Sequence, residues 1–345
     1  MTGTGNTTAI LGYFGYQNAG DDAFHDFWMK RLGAPRSALA SDLRGQRVKS
    51  AILGGGAVIN DYFLERLPGA FESLSLYSCS LPYGDDDVRK LLPFADRITT
   101  AQFRSRRDAS VAKHLLPQAQ YVPDLIFGHD MEDRSLSTDE IVAHCEVPPA
   151  GFDLERKNLV LLLSDQYRAS ELDRFFAVES FKYRLADALD YLSQFYNVIC
   201  IPMSMWHDSR DNIFAADVVS KMKKRESVAV IDRYLGPCYI YQAIRSQASL
   251  VVTMKYHGIV FSMSAGTPFI NIGDTRKNRD LLHDSDLAAL DCSLAHFDKD
   301  HFLETVKLAE SGNIRDTISV VATQNRIDVL KAMDEVQNTL NFSPL

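Results

Sequence analysis

Short apolar runs alternate with amphipathic stretches along most of the chain. A strand buried on both faces is continuously apolar, whereas a surface helix carries apolar residues three and four positions apart. In the first half this pattern predicts strands at 8–14, 51–53, 74–79 and 97–101, and helices at 21–32, 86–92 and 105–115. The regular alternation of strand and helix is typical of parallel sheets covered by helices.

The same alternation fills the second half of the chain. It predicts strands at 159–163, 198–201, 228–231, 250–254 and 269–272, helices at 180–195, 210–223, 237–246 and 259–265, and a long amphipathic helix at 317–340. Both halves therefore predict an α/β fold with two Rossmann-like domains and a ligand cleft between them.

A polar interruption separates the two series of strands. Residues 129–157 include the run HDMEDRSLSTDE and a Pro pair, and Ser137, Thr138 and Glu140 have the pattern that starts a short helix. We predict an N-terminal domain at 1–135, a linker at 136–157 and a C-terminal domain at 158–315. The tail, 316–345, is expected to pack on its own domain or to return to the N-terminal one.

Composition narrows the class of protein. Of the 345 residues 46% are hydrophobic and 24% charged, which predicts a packed core, and the net charge of −8 argues against a general nucleic-acid or membrane-surface binder. The N-terminus lacks a signal-peptide pattern, and no apolar run is long enough for a membrane span. The five cysteines are scattered, which favours reduced core residues in a cytoplasmic protein over disulfides or a zinc site.

The strongest candidate chemistry follows the strand predicted at 250–254. Lys255 and His257 come directly after it, where the carboxyl ends of strands and the N-termini of helices bind ligands in α/β sheets. Arg276 and Lys277 follow the next strand. These residue types suit an anionic substrate and proton transfer, although a structural histidine and a solvated basic face remain open.

Two further loops follow strands of the N-terminal domain. Asn18, Asp21 and Asp22 come after the first strand and offer a carboxylate as a base, or else a βα turn with a capping aspartate. Gly55 and Gly56 belong to a glycine triplet that suits close approach of a ligand or of the other domain, or else a simple turn.

Two other segments contain aromatic or charged residues that fit ordinary surface structure. Trp206 and His207 could bind an acceptor, with Trp206 stacked on a sugar, or lie in an exposed loop in which Asp208 or Asp211 caps the next helix. Arg104, Arg106 and Arg107 crowd before a helix and predict a basic surface turn.

Five segments occur in an order that resembles a known family. NAGDD, GGG, RRDASVAKHLL, VPDLIF and TMKYHGIVFSMSAGTPFINI together resemble the polysaccharide pyruvyl transferase family. That resemblance implies a fold similar to the GT-B glycosyltransferases. It also implies transfer of a pyruvyl group from phosphoenolpyruvate to hydroxyls of a glycan or glycan precursor, forming a ketal, with no other cofactor and no metal.

The resemblance also implies roles for individual residues. His257 matches the family's histidine as general acid, and Lys255 stands where the family commonly has arginine. Asp21 or Asp22 would activate the acceptor. The further candidate donor residues are Gly258, Arg168, Arg276 and Lys277, and the candidate acceptor residues, which come from the loops described above, are Asn18, Gly55, Gly56, Trp206 and His207.

Two alternatives from other classes stay open. The same architecture would serve a GT-B-type glycosyltransferase that uses a nucleotide sugar, although no clear glutamate for ribose hydroxyls follows the last strand. A non-catalytic sugar-binding relative is the other alternative. It is consistent with Lys255 in the arginine's place and with Ser164 and Asp165 where the family usually carries an arginine.

Overall fold

The computed structural model of the chain describes residues 8–132, 134–146, 149–153, 155–165, 172–206 and 209–337, with the backbone alone at 172–175 and 209. These residues form two compact units. The first contains residues 8–16, 21–130 and 323–337, and the second contains 17–20 and the described part of 131–322. Each unit is built on its own parallel sheet.

The sheet of the first unit has six strands in the order β2-β1-β3-β4-β5-β6. The strands are β1 (Thr8–Leu11), β2 (Leu39–Ala40), β3 (Ser50–Gly56), β4 (Ser73–Cys79), β5 (Ile98–Phe103) and β6 (Ala119–Tyr121). The helices are α1 (Ala19–Leu32), α2 (Asp61–Leu64), α3 (Asp85–Lys90) and α4 (Arg106–Ala112), with 3-10 turns at Arg36–Ala38, Leu92–Arg97 and Leu125–Gly128. The strand order reverses between β1 and β3.

The core of the first unit is apolar and continuous across the strands. Leu11, Leu53, Leu76 and Phe103, from four neighbouring strands, are fully buried in one cluster. Burial of each such side chain contributes about 1.5–3 kcal/mol. This is why short, uninterrupted apolar runs were sufficient to predict the strands.

The glycine triplet at the end of β3 allows a helix to pack closely on the sheet. Trp28 Nε1 donates a hydrogen bond of 3.1 Å to the Gly54 carbonyl. A Cβ atom on Gly55, whose φ is +109°, would lie 2.7 Å from the Phe24 ring. The close approach expected at these glycines is therefore made, at Gly54 and Gly55, by α1 of the same protein.

A buried ion pair lies at the carboxyl edge of the first sheet, and one of its residues was wrongly predicted to be exposed. Arg104 was expected in a surface turn, but its side chain is 3% exposed, and its Nη1 lies 2.9 Å from Asp124 Oδ2. Its Nη2 donates to Ser80 Oγ at 3.2 Å. Arg106 and Arg107 are exposed, as expected. A cation survives burial here because a carboxylate and a hydroxyl accept its hydrogen bonds.

The sheet of the second unit has five strands in the order β11-β8-β7-β12-β13. Its strands are β7 (Lys157–Leu162), β8 (Tyr196–Cys200), β11 (Val228–Val230), β12 (Ala248–Thr253) and β13 (Phe269–Asn271), and β9 (Met205–Trp206) pairs with β10 (Ser209–Arg210) as a separate hairpin. The strand order reverses between β7 and β12, and all neighbours in the sheet are parallel.

Helices follow the strands of the second sheet. They are α5 (Thr138–Val142), α6 (Leu172–Leu192), α7 (Asp211–Ser220), α8 (Pro237–Gln247), α9 (Tyr256–Ser264), α10 (Arg276–Asp284) and α11 (Lys299–Ala309), with 3-10 turns at Ala288–Leu290 and Leu294–His296. The last helix, α12 (Gly312–Gln337), contributes residues 312–322 to the second unit and 323–337 to the first. Within the first unit its Val329 contacts Gly128.

The helix predicted inside the polar interruption is confirmed. Ser137 Oγ accepts from the Glu140 amide at 3.2 Å, and Glu140 Oε2 accepts from the Ser137 amide at 2.8 Å. This reciprocal pair is a capping box, which satisfies two amides that would otherwise lack a partner. The helix, α5, belongs to the second unit.

Several predicted boundaries were wrong. The first strand ends at Leu11, before the glycine turn, and the helix predicted at 180–195 begins at Leu172. Strands β2 and β6 and helices α2, α10 and α11 were not predicted. Of these, α10 was hidden by its charge, since RKNRD looks like a solvated loop.

Two predictions from the sequence concern the state of the cysteines and membrane-spanning helices. All five cysteines are free thiols, four of them buried, as the scattered spacing predicted. Among the described residues, no helix combines the length and the apolar character that crossing a bilayer would need.

Candidate active site

The candidate site lies at the carboxyl edge of the second sheet, where its strand order reverses. Ligands of open α/β sheets bind at such switch points. Leu162 of β7 pairs with Thr253 of β12, so both strands end at the same level. Ser164 therefore follows β7, and Lys255 follows β12, at neighbouring positions on this edge.

The turn into α9 is fixed by local contacts. Thr253 Oγ1 accepts from the Lys255 amide at 3.0 Å and donates to the Lys255 carbonyl at 3.2 Å. Gly258 lies against the same strands, since a Cβ there would come within 2.9 Å of Leu162 Cδ1 and closer still to Thr253 Oγ1. Glycine at 258 thus lets the first turn of α9, which carries His257, lie directly on the sheet edge.

His257 is half-buried at the N-terminus of α9. Its ring contacts Gly20, because a Cβ on Gly20 would lie 2.6 Å from His257 Cε1 and closer still to Nδ1. Tyr256 and Phe261 also contact it, with ring centroids 5.1 and 6.5 Å away. The imidazole is therefore held on several sides, and its Nε2 is buried although the residue as a whole is half-buried.

Residues 17–20 belong to the second unit through a short backbone ladder. The Ala19 amide donates to the Met203 carbonyl at 2.8 Å, and the Met205 amide donates to the Gln17 carbonyl at 3.0 Å. Asn18 lies between them and its Oδ1 accepts from the Gly20 amide at 3.1 Å. This ladder holds the segment 17–20 on the loop after β8, with Gly20 against His257.

Lys255 forms an ion pair that the sequence did not reveal. Its Nζ lies 3.2 Å from Asp211 Oδ2, and the two side chains are 17% and 1% exposed. Burial raises the pKa of the Asp211 carboxyl, whereas the charge and hydrogen bond of Lys255 lower it. The positive charge expected at Lys255 is thus partly compensated by a buried carboxylate.

The basic residues after β13 lie in the first turn of α10. Arg276 Nε is 3.6 Å from Asp280 Oδ2, and Lys277 Nζ lies 6.0 Å from the centre of the Tyr256 ring. Cations at a helix N-terminus work against the helix dipole and so concentrate positive potential there. Lys277 and Tyr256 connect the starts of α10 and α9.

A buried amide fixes these two helix starts against each other. Asn278 Nδ2 donates to the Met254 carbonyl at 3.1 Å and to Asn271 Oδ1 at 2.8 Å. Its Oδ1 accepts from Thr275 Oγ1 at 2.7 Å. Asn278 therefore ties the ends of β12 and β13 to α10, and it was not among the predicted site residues.

Candidate residues of the first unit gather at the switch point of their own sheet. Asp22 Oδ1 accepts from the Gly15 amide at 3.2 Å. Asp21 Oδ1 would lie 3.5 Å from a Cβ on Gly56. Asp21, Asp22 and Gly56 thus lie together where the strand order reverses between β1 and β3. Both carboxylates are half-buried.

The remaining candidates divide between described and undescribed residues. Trp206 is half-buried in β9, next to the loop that holds residues 17–20. Arg168 and His207 lie outside the described residues, so both stay predictions.

Asp211 is the main site residue that sequence reasoning missed as such. The sequence pattern indicates Asp211 only as a helix cap, but the N-cap of α7 is Arg210 and Asp211 is the first residue inside the helix. An aspartate and a lysine that both follow buried strands were a usable signal. The contact between the two residues could not be predicted without the strand order. In the sheet, β7 lies between β8, which precedes Asp211, and β12, which precedes Lys255.

The fold is shared with two solved structures of other proteins. The S. aureus MnaA–UDP co-structure has a TM-score of 0.55 and 7% sequence identity, covering 94% of this chain and 80% of that one. A Listeria monocytogenes protein, provisionally assigned as a UDP-N-acetylglucosamine 2-epimerase, has a TM-score of 0.50 and 10% identity, covering 98% and 99%. At such low identity the likeness shows the fold alone, which is the GT-B-like α/β class expected from the sequence.

The sequence itself defines the family. A model of the polysaccharide pyruvyl transferase family matches residues 10–275, which is most of the chain. The chain therefore belongs to the polysaccharide pyruvyl transferase family, and the resemblance noted from its motifs is confirmed. Membership places it among transferases that modify glycans. No curated protein matches the sequence of this chain.

Proposed function

We propose that this protein transfers a pyruvyl group from phosphoenolpyruvate to two hydroxyls of a glycan or glycan precursor, in the cytoplasm. The observation that carries the proposal is the position of Lys255 and His257 on the switch point of the second sheet. Membership in the family supports the same reaction.

In the proposed reaction His257 is the general acid. It gives a proton to the methylene carbon of phosphoenolpyruvate, which becomes a methyl group, and the adjacent carbon becomes electrophilic. A sugar hydroxyl adds to that carbon, phosphate leaves, and a second hydroxyl closes the ketal. Of the two hydroxyl protons, one restores His257 and the other leaves with phosphate. A well-placed general acid contributes about 100- to 10,000-fold in rate.

The donor carries a phosphate and a carboxylate, so its site needs positive charge. Lys255, together with Arg276 and Lys277 in the first turn of α10, supplies positive charge, and the start of α9 adds the positive end of a helix dipole. Gly258 permits the close packing of α9 on which this depends. Arg168 is retained as a further proposed donor residue.

The proposed acceptor contacts come from several loops. Asn18 and Trp206 of the second unit are proposed to contact the sugar, together with His207, whereas Gly55 is buried against Phe24 and Gly56 beside Asp21. Asp21 or Asp22 is proposed to take one hydroxyl proton from the sugar and to pass it to the departing phosphate. The half-buried carboxylates at a sheet switch point support the role of Asp21 or Asp22.

The test is phosphate release from phosphoenolpyruvate in the presence of galactose- and mannosamine-type saccharides. We expect release by the wild type, a loss of about 100-fold or more in His257→Ala, and no loss in His296→Ala. His296 is an exposed histidine of the same unit and serves as the matched control.

The proposal is contradicted if wild type and His257→Ala release phosphate equally slowly with every acceptor. Thermal stabilisation by UDP, with none by phosphoenolpyruvate, would favour the nucleotide-sugar alternative instead. Saccharide binding without any turnover would favour a non-catalytic relative.

A further inference from the structure

Asp211 joins two loops at the carboxyl edge of the second sheet. Its Oδ2 accepts from the Ser204 amide at 2.7 Å and lies 3.2 Å from Lys255 Nζ. Its own amide donates to the Ser204 carbonyl at 3.0 Å. One carboxylate thus contacts residues that follow β8 and β12.

The connections of Asp211 extend to the surroundings of His257. Ser204 lies between Met203 and Met205, whose backbones bind residues 17–19. Gly20, which follows directly, contacts the His257 ring. Asp211 therefore holds Lys255 directly and holds the segment facing His257 through one loop.

We propose that Asp211 is a positioning residue, which fixes the ammonium group of Lys255 where the anionic donor binds. The inference rests on the proposed function, because it assigns Asp211 a role in the same site. Asp211 does not touch the donor itself and acts through Lys255.

The choice of lysine explains why a positioning group is needed. An arginine presents a rigid planar fork that pre-organises its hydrogen bonds, whereas lysine is a point charge on a flexible four-carbon stem. The Lys255 side chain is only 17% exposed, and the side chain of Asp211, with which it pairs, is 1% exposed. A fixed cation needs no reorganisation when charge develops in the reaction, which is the main source of electrostatic catalysis.

Two roles for Asp211 predict changes of opposite sign. If Asp211 only offsets charge, Asp211→Asn leaves a more positive site and binds anions more tightly. If Asp211 positions Lys255, the ammonium turns toward water in Asp211→Asn and anion binding weakens. We expect roughly tenfold weaker binding of inorganic phosphate, measured by calorimetry, and a kcat/KM for phosphoenolpyruvate lower by a similar or larger factor.

Rescue separates a positioning role from a general structural one. Lys255→Arg in the Asp211→Asn background should recover most of the loss, because the guanidinium fork is pre-organised without a partner. Adding Asp211→Asn to Lys255→Met should cost no more than Lys255→Met alone, because the two residues act as one unit. Asp217→Asn, on the same helix, removes a carboxylate paired with Lys182 and Lys221 and should leave phosphate binding unchanged.

The possible outcomes distinguish failure of the positioning role of Asp211 from failure of the proposed function. Tighter phosphate binding in Asp211→Asn, or a loss that Lys255→Arg does not restore, overturns the positioning role. Absence of phosphate release by the wild type overturns the proposed function and leaves the phosphate titrations as the test of Asp211. The double variant Asp211→Asn/Lys255→Met removes both charges and so avoids an unpaired buried ion that could prevent folding.

Discussion

Each unit has, near its sheet, an ion pair with a buried carboxylate and a notable histidine, yet the two sets differ in exposure. In the first unit Arg104 and Asp124 are 3% and 0% exposed, and His129 is buried. In the second unit Lys255 remains 17% exposed above its buried partner, and His257 is half-buried. The same residue types are therefore buried in the first unit and partly exposed in the second.

This difference shows what separates a structural charge from a candidate catalytic one. Arg104 uses both terminal nitrogens on protein acceptors, Asp124 Oδ2 and Ser80 Oγ. Lys255 has three donors, of which Asp211 takes one, and it stands beside the start of a helix. We therefore expect changes in the first set to reduce stability and changes in the second set to reduce activity.

The largest effect on stability is expected from Arg104→Met. Removing one partner of a buried pair leaves Asp124 as an uncompensated buried carboxylate, which costs about 3–5 kcal/mol. Urea denaturation at neutral pH measures the free energy of unfolding. Arg107→Met, at an exposed position of the same segment, should cost less than about 0.5 kcal/mol. A loss below about 1 kcal/mol for Arg104→Met would show that Arg104 is not a structural anchor.

The sequence was sufficient to predict the fold but only part of the site. Apolar runs such as 159–163 are typical of buried strands, and the run 250–254 places the KYHG segment at the end of such a strand. Local pattern therefore identified Lys255 and His257 as neighbours on the edge of a sheet. It also identified the capping box at Ser137, since that motif is complete within four residues.

Contacts between distant segments could not be predicted. Arg104 and Asp124 belong to different βα connections, as do Lys255 and Asp211, and nothing local distinguishes a paired arginine from an exposed one. Gly20 appeared to belong to a turn, but its role depends on the His257 ring 237 positions away (257 − 20). Strand order decides such contacts, and a single sequence does not give it.

The buried imidazole of the first unit predicts a second, smaller effect that depends on pH. Burial lowers the pKa of His129 to about 4, whereas an unfolded histidine titrates near 6.5. Between these values the unfolded chain binds a proton that the folded chain does not, so stability falls as the pH drops. From about pH 7 to pH 5 the loss should be about 2 kcal/mol.

Urea denaturation at both pH values, on wild type and His129→Leu, measures this contribution. The variant should lose about 2 kcal/mol less than the wild type over the same interval. His114→Leu, which removes an exposed histidine of the same unit, should retain the wild-type pH dependence. Equal pH dependence in wild type and His129→Leu would mean that His129 accepts a proton in the folded state and is not the closed counterpart of His257.

The smallest effect on stability, and the sharpest test of the comparison, is expected from Gly20→Ala. The new Cβ would overlap the His257 ring, so the imidazole must shift. A half-buried ring can move, and alanine is the better helix former by up to about 1 kcal/mol, so the free energy of unfolding should change by no more than about 1 kcal/mol. A shift of about 1 Å at the acid can nevertheless cost up to about 100-fold in rate, and we expect phosphate release to fall at least about tenfold.

Gly312→Ala, whose Cβ meets nothing within 4 Å, is the matched control and should retain full activity. If Gly20→Ala is as active as Gly312→Ala, then His257 does not need its present position, and the accessible histidine is no more catalytic than the buried one.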